Sequence, residues 1–99
     1  MFVALERLVN LDDGYKRTFA VAGRQLLLIV DQGQYLLFEN RCPHQGAPLH
    51  DGTLANGVLR CRRHGIEFDV HSGRPRQGHC GSLIRWPVAY DGDRLGLDL

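Results

Sequence analysis

Short apolar runs separated by tight polar breaks recur along the chain, and the runs are of strand length. Leu26-Leu27-Leu28-Ile29-Val30 and Tyr35-Leu36-Leu37-Phe38 are split by Asp31-Gln32-Gly33-Gln34, a spacing that predicts a β-hairpin. Ala22-Gly23-Arg24 predicts a turn between residues 18–21 and 25–30. Near the end, Ile84, Trp86, Val88 and Tyr90 alternate with Arg85, Pro87 and Ala89. Asp91-Gly92-Asp93 then turns the chain, and Leu95, Leu97 and Leu99 alternate again, the period of a half-buried strand. Pro87 has no N–H for a ladder and is expected on an edge or at a bulge. No stretch carries a helical period, and no repeat or linker stands out. The pattern predicts an all-β, antiparallel sandwich or barrel. Residues 41 to about 81 interrupt it with glycine, proline, histidine and arginine, and such a segment on a β scaffold is where function concentrates.

Composition narrows the classes. Ninety-nine residues suit one domain, residues 1–99, with a modest core. The net charge is +1, which gives no reason to expect nucleic acid or a membrane surface as partner. The start, MFVALERLVN, lacks the apolar stretch of a secretory leader, and Leu26 to Val30 is too short to cross a bilayer, so a cytoplasmic location is expected. Three cysteines, an odd number, argue against a disulfide framework and for metal ligands or free thiols.

The cysteines fall beside histidines. RCPHQGAPLH at 41–50 holds Cys42 and His44, and RCRRHGIEFD at 60–69 holds Cys61 and His64. Each loop thus offers one thiolate and one imidazole, and two such loops meeting at their tips bring four ligands to one point. Glycines suit the tight turns this requires. Zinc uses the same ligand types, although C-x-H is a cramped bite for one tetrahedral ion. A two-iron cluster relieves the cramp if Cys42 and Cys61 bind one iron and His44 and His64 the other.

CPHQGAPL, the following DGTL, CRRHGIEFDVHSG and the closing WPVAYDGDRLGLDL together resemble Rieske-type ferredoxins over roughly residues 36–99. The resemblance implies a Rieske-like β sandwich or barrel whose two loops form a small cluster-binding subdomain at about 41–81. It implies one 2Fe–2S cluster held by Cys42, His44, Cys61 and His64, with the histidine-bound iron near the surface. The implied role is a soluble one-electron carrier, not itself an enzyme, that passes electrons from a flavin-dependent reductase to a terminal oxygenase. The alternatives are a small Rieske subunit of a larger reductase, such as nitrite reductase, and a zinc-bound structural module. A catalytic oxygenase would need a mononuclear iron site in a second domain, and the loop reads HGIEFD where that family has HGW.

Rieske proteins of quinol-oxidising complexes carry two further cysteines that tie the loops together. This sequence has Ala47 and Arg63 at those positions. They also carry a serine and a tyrosine that donate hydrogen bonds to cluster sulfurs, where this sequence has Ile66 and Phe68. The resemblance therefore implies no loop disulfide and a potential toward the negative end of the range of about −150 to +300 mV. His50, His71 and Asp69 are expected to be loop polarity and a turn residue rather than ligands. Cys80 is expected to be a small, partly buried thiol; with His79 it stands where the family often has a proline-bearing cover. Arg41, Arg60, Arg62, Arg63, Arg74 and Arg76 are six of the twelve basic residues. They form either a solvated loop or a collar that steers an acidic redox partner.

Overall fold

The apolar run at 26–30 lies in the longest of ten strands among the described residues. These are β1 (Phe2–Arg7), β2 (Lys16–Val21), β3 (Arg24–Asp31), β4 (Gln34–Glu39), β5 (Thr53–Ala55), β6 (Val58–Arg60), β7 (Glu67–Asp69), β8 (Arg85–Trp86), β9 (Ala89–Asp91) and β10 (Arg94–Asp98). The structure is a computed structural model and describes residues 1–43, 46–63, 65–76 and 80–99. One 3-10 turn, Leu8–Asn10, joins β1 to β2, and no described helix is long and apolar enough to cross a membrane.

The strands form three antiparallel sheets, ordered β1-β10-β9, β2-β3-β4-β8 and β5-β6-β7. Both predicted hairpins are present, with Val21 facing Arg24 and Asp31 facing Gln34 across two-residue turns. Their turn pairs, Ala22-Gly23 and Gln32-Gly33, have φ of 50° and 78° and of 52° and 75°, the paired positive values that match strand twist. Asn56-Gly57 repeats them at 53° and 75° between β5 and β6.

The four-stranded sheet is the middle layer. Leu27 and Ile29 of β3, with Leu36 and Phe38 of β4, pack into one buried cluster with Leu49, Leu59, Phe68, Val70, Leu83, Cys42 and Cys61. Leu26, Leu28 and Val30, with Leu37, pack into a second cluster with Leu95 and Leu97 of β10. Side chains alternate between faces along a strand, so a strand apolar at every position must be covered on both. The β1-β10-β9 sheet covers one face. The β5-β6-β7 sheet and its loops cover the other.

The C-terminal alternation only partly reaches the core. Trp86 and Val88 pack against the second cluster, but Ile84, Tyr90 and Leu99 are exposed. Pro87 follows directly on β8, an edge strand of the middle sheet, and does not sit in a bulge. It lies between β8 and β9, where the chain leaves the middle sheet for the outer one. A residue with no N–H ends a ladder readily, and the change of sheet breaks the period that Ile84 and Tyr90 seemed to share. The three-residue strands β5, β6 and β7 were not predicted, so the loops of the 41–81 segment stand on a sheet of their own. That segment leaves and rejoins the middle sheet at one place, where the Glu39 N–H donates to the Ile84 carbonyl at 2.9 Å. The outer sheet brings the ends of the chain together: the Met1 amino group donates to the Leu99 carbonyl, and the Leu99 N–H to the Met1 carbonyl, each at 2.9 Å.

Candidate metal centre

Cys42 and Cys61 open two turns of the same build. The Gly46 N–H donates to the Cys42 carbonyl at 2.7 Å, and the Cys42 N–H donates to the Ala47 carbonyl at 2.7 Å. In the second turn the Gly65 N–H donates to the Cys61 carbonyl at 2.9 Å, and the Cys61 N–H to the Ile66 carbonyl at 2.8 Å. Gly46 and Gly65 close the turns at φ of 71° and 68°, the left-handed region that glycine enters without steric cost. Both cysteines are 1 % exposed and belong to one buried cluster. His44 and His64 lie inside the same two turns by sequence but outside the described residues, as does His79.

No disulfide joins Cys42, Cys61 and Cys80. Among the described residues no group of three or more His, Cys, Asp and Glu is placed to hold a metal ion. The donor set fits a two-iron cluster: two thiols rooted in one dry core at the bases of matched turns, each turn carrying one histidine. Ile66 packs against that core, and Phe68 is wholly buried within it. Neither has a hydroxyl.

Polar contacts brace this lobe against the middle sheet. The Asn40 Oδ1 accepts from the Leu49 and His50 N–H groups at 2.8 and 3.0 Å, and its Nδ2 lies 2.9 Å from His50 Nδ1. The Lys16 ammonium donates to the Gly52 carbonyl. Gly52 itself tolerates no side chain, since a β-carbon there would lie 2.3 Å from the Arg60 carbonyl oxygen. His71 is not the solvated loop residue expected. Its Nε2 lies 2.7 Å from Asp31 Oδ2 and its Nδ1 3.1 Å from Gln34 Oε1, so it ties the turn after β7 to the β3–β4 hairpin. Asp69 holds that turn: its Oδ1 accepts from the His71 and Ser72 N–H groups at 2.9 and 3.0 Å. The Ser72 amide, followed by that of His71, holds the Asp69 carboxyl below the usual carboxylate range.

Cys80 is half-buried against the cluster that contains Cys42 and Cys61. Beside it, a β-carbon on Gly81 would lie 4.0 Å from Pro43 Cβ, so the chain here flanks the first turn. Outside the second turn, Arg62 pairs loosely with Asp51 at 3.9 Å, and Arg76 with Glu67 at 3.8 Å. Arg62, Arg63 and Asp51 line a shallow groove of about 310 Å³ with Ala47 and Pro48.

A family model described as the Rieske [2Fe-2S] domain matches residues 1–87. Apoptosis-inducing factor 3 of Homo sapiens is 36% identical over 64 residues, which are 65% of this chain and 11% of that protein. This chain thus matches about a tenth of the length of that relative. The ferredoxin component of the alkene monooxygenase system of Xanthobacter autotrophicus (strain ATCC BAA-1158 / Py2) is 31% identical over 87 residues, covering 87% of this chain and 71% of that protein. Among solved structures, the complex of reduced oxygenase and oxidized ferredoxin in carbazole 1,9a-dioxygenase contains a chain that superposes with a TM-score of 0.81 at 25% identity. The match covers 94% of this chain and 97% of that one.

The Asn40 brace yields a stability prediction. Leu49 is fully buried, so Asn40→Ala leaves its N–H without the side-chain acceptor and should cost about 1–3 kcal/mol. Asn40→Asp keeps that acceptor and should cost less. Denaturant unfolding of the metal-free protein measures both.

Proposed function

Because this chain belongs to the Rieske [2Fe-2S] domain family, we propose that Cys42 and Cys61 hold one iron of its single cluster and His44 and His64 the other. We propose further that residues 1–99 act as one electron-carrying domain with a cluster-binding lobe at about 41–81. The observation that carries the ligand assignment is the matched pair of turns, each rooting a buried cysteine in the same cluster of side chains.

When bound, such a cluster supplies one reversible electron, passing from neutral (two ferric ions, two sulfides, two thiolates) to a single negative charge. The chain's own residues do the rest. The turns at 42–47 and 61–66 fix the thiolates, and Leu59, Phe68 and Ala47 keep water from their roots. Burial also disfavours the reduced, charged state. With Ile66 and Phe68 in place of hydroxyl donors, nothing at those two positions offsets that cost. A low-potential carrier follows.

The protein is an electron carrier rather than a catalyst. Its proposed partners are a flavin-dependent reductase upstream and a terminal oxygenase downstream, working in the cytoplasm. The similarity to a ferredoxin component, and to a ferredoxin chain solved with its oxygenase, supports this reading. The arginines around the second turn suit an acidic docking surface, since complementary charge speeds encounter.

Ligation is tested by visible absorption and iron content. His64→Ala should lose the two-iron spectrum, while Cys80→Ser should keep it. The reverse result would refute the assignment. For the potential, protein-film voltammetry should place the wild type below zero on the hydrogen scale. The Ile66→Ser, Phe68→Tyr double variant should be higher by on the order of 100 mV, since about 1 kcal/mol per hydrogen bond is roughly 40 mV for one electron. For docking, the Arg62→Glu, Arg63→Glu variant should be oxidised more slowly by ferricyanide, an anionic stand-in for an acidic partner. The difference should fade as salt shortens the screening length to about 3 Å at 1 M. A difference that ignores salt would count against the collar.

A further inference from the structure

The two turns repeat more than their cysteines. Arg-Cys-Pro-His-Gln-Gly at 41–46 and Arg-Cys-Arg-Arg-His-Gly at 60–65 each place an arginine directly before the cysteine and a glycine four residues after it. In both, the arginine folds back over the turn it opens. A β-carbon on Gly65 would lie 3.0 Å from Arg60 Nη2 and 3.3 Å from its Nε. One on Gly46 would lie 3.9 Å from Arg41 Nε, the nearest atom in range. The bare glycine face is where the guanidinium rests, closely in the second turn and more loosely in the first.

Neither guanidinium has an ion pair among the described residues. The arginine ion pairs among the described residues take Arg7, Arg17, Arg24, Arg62 and Arg76. Glu67, which faces Arg60 across the β6–β7 register, is paired with Arg76 instead. Arg62 differs on both counts. Its charge is shared with Asp51, and it is not among the nearest neighbours of either turn glycine. Arg63 is exposed, as Arg41 and Arg60 also are, but it is not among the nearest neighbours of either turn glycine.

We propose, resting on the two-iron centre proposed above, that Arg41 and Arg60 are the members of the basic collar that tune its potential, one guanidinium clasped to each cysteine-bearing turn. Arg62 and Arg63 serve the surface. Arginine keeps its proton at every working pH, so each clasp is a permanent positive charge at a fixed place. The cysteines behind the turns are buried, and a field crossing buried protein is weakened far less than one crossing water. A fixed positive charge favours the reduced cluster, which carries one more negative charge than the oxidised one. Both arginines are exposed, so screening keeps the effect modest.

The experiment is voltammetry on single variants, with iron content and the visible spectrum recorded for each. Arg41→Gln and Arg60→Gln should each shift the reduction equilibrium about threefold toward the oxidised form. That is a fall of roughly 28 mV at about 59 mV per tenfold. Arg60, the closer clasp, should show the larger shift. Arg41→Lys and Arg60→Lys keep the charge and should stay nearer the wild-type potential than the glutamine variants. Arg62→Gln and Arg63→Gln should shift less, and their shift should vanish in 1 M salt while part of the Arg60→Gln shift survives. Equal shifts at all four arginines, or none at Arg41 and Arg60, would overturn the proposal. If a glutamine variant fails to hold iron, its lysine variant decides: a loaded lysine variant displaced well below wild type would show that shape, not charge, matters there. A wild type without two irons per chain would fail the cluster assignment itself, a different result from a loaded protein whose arginines rank otherwise.

Discussion

The structure depends on one packing arrangement: two cysteine-bearing turns, nineteen residues apart in sequence, rooted in a single buried cluster against the middle sheet. Close packing transmits small displacements, so the spacing of Cys42 and Cys61 is set by what lies beneath them. Leu27 and Ile29 of β3, Leu36 and Phe38 of β4, and Leu59 and Phe68 of the small sheet form that base. Among the described residues, each turn presents its cysteine through two backbone hydrogen bonds and one glycine, and position is supplied from below.

Polar contacts then fix what packing leaves free to slide. Asn40 holds the first loop, Lys16 the start of β5, and His71 the turn after β7, each from or toward the middle sheet. Individually such contacts are modest, about 1 kcal/mol net for a hydrogen bond. They sit at three separate points around the lobe, and three points define an orientation. The functional end can therefore be rich in arginine and glycine, which add little apolar packing, without losing its geometry.

Much of this was legible in the sequence. The hairpins at 16–39 follow from strand-length runs around turn pairs, and the unbroken apolar run of β3 records a strand covered on both faces. The paired Cys and His spacing pointed to the two turns. Three features were hidden for identifiable reasons. Strands β5, β6 and β7 are three residues each, too short to show a period, although Asn56-Gly57 is the strongest short-range hairpin signal in the chain. Ile84 and Tyr90 kept an alternating pattern across a change of sheet that only Pro87 hinted at. The His71–Asp31 contact joins residues 40 apart, and nothing local distinguishes a bridging histidine from a solvated one. The positions of His44 and His64 rest on sequence.

The meeting of Met1 and Leu99 in the outer sheet has a bearing on architecture beyond this chain. Sequence added at either end would emerge beside the other, in the layer that covers the face of the middle sheet turned away from the cysteine turns. Such a fold can be spliced into a longer polypeptide much as a plug-in part, with host sequence attached at one layer and electrons exchanged at another. The spacing demanded of a host is only that of two neighbouring strands. The same geometry favours circular permutation: joining the present ends and opening an exposed turn away from the lobe's braces, such as Ala22-Gly23, would leave every residue of the lobe in its place.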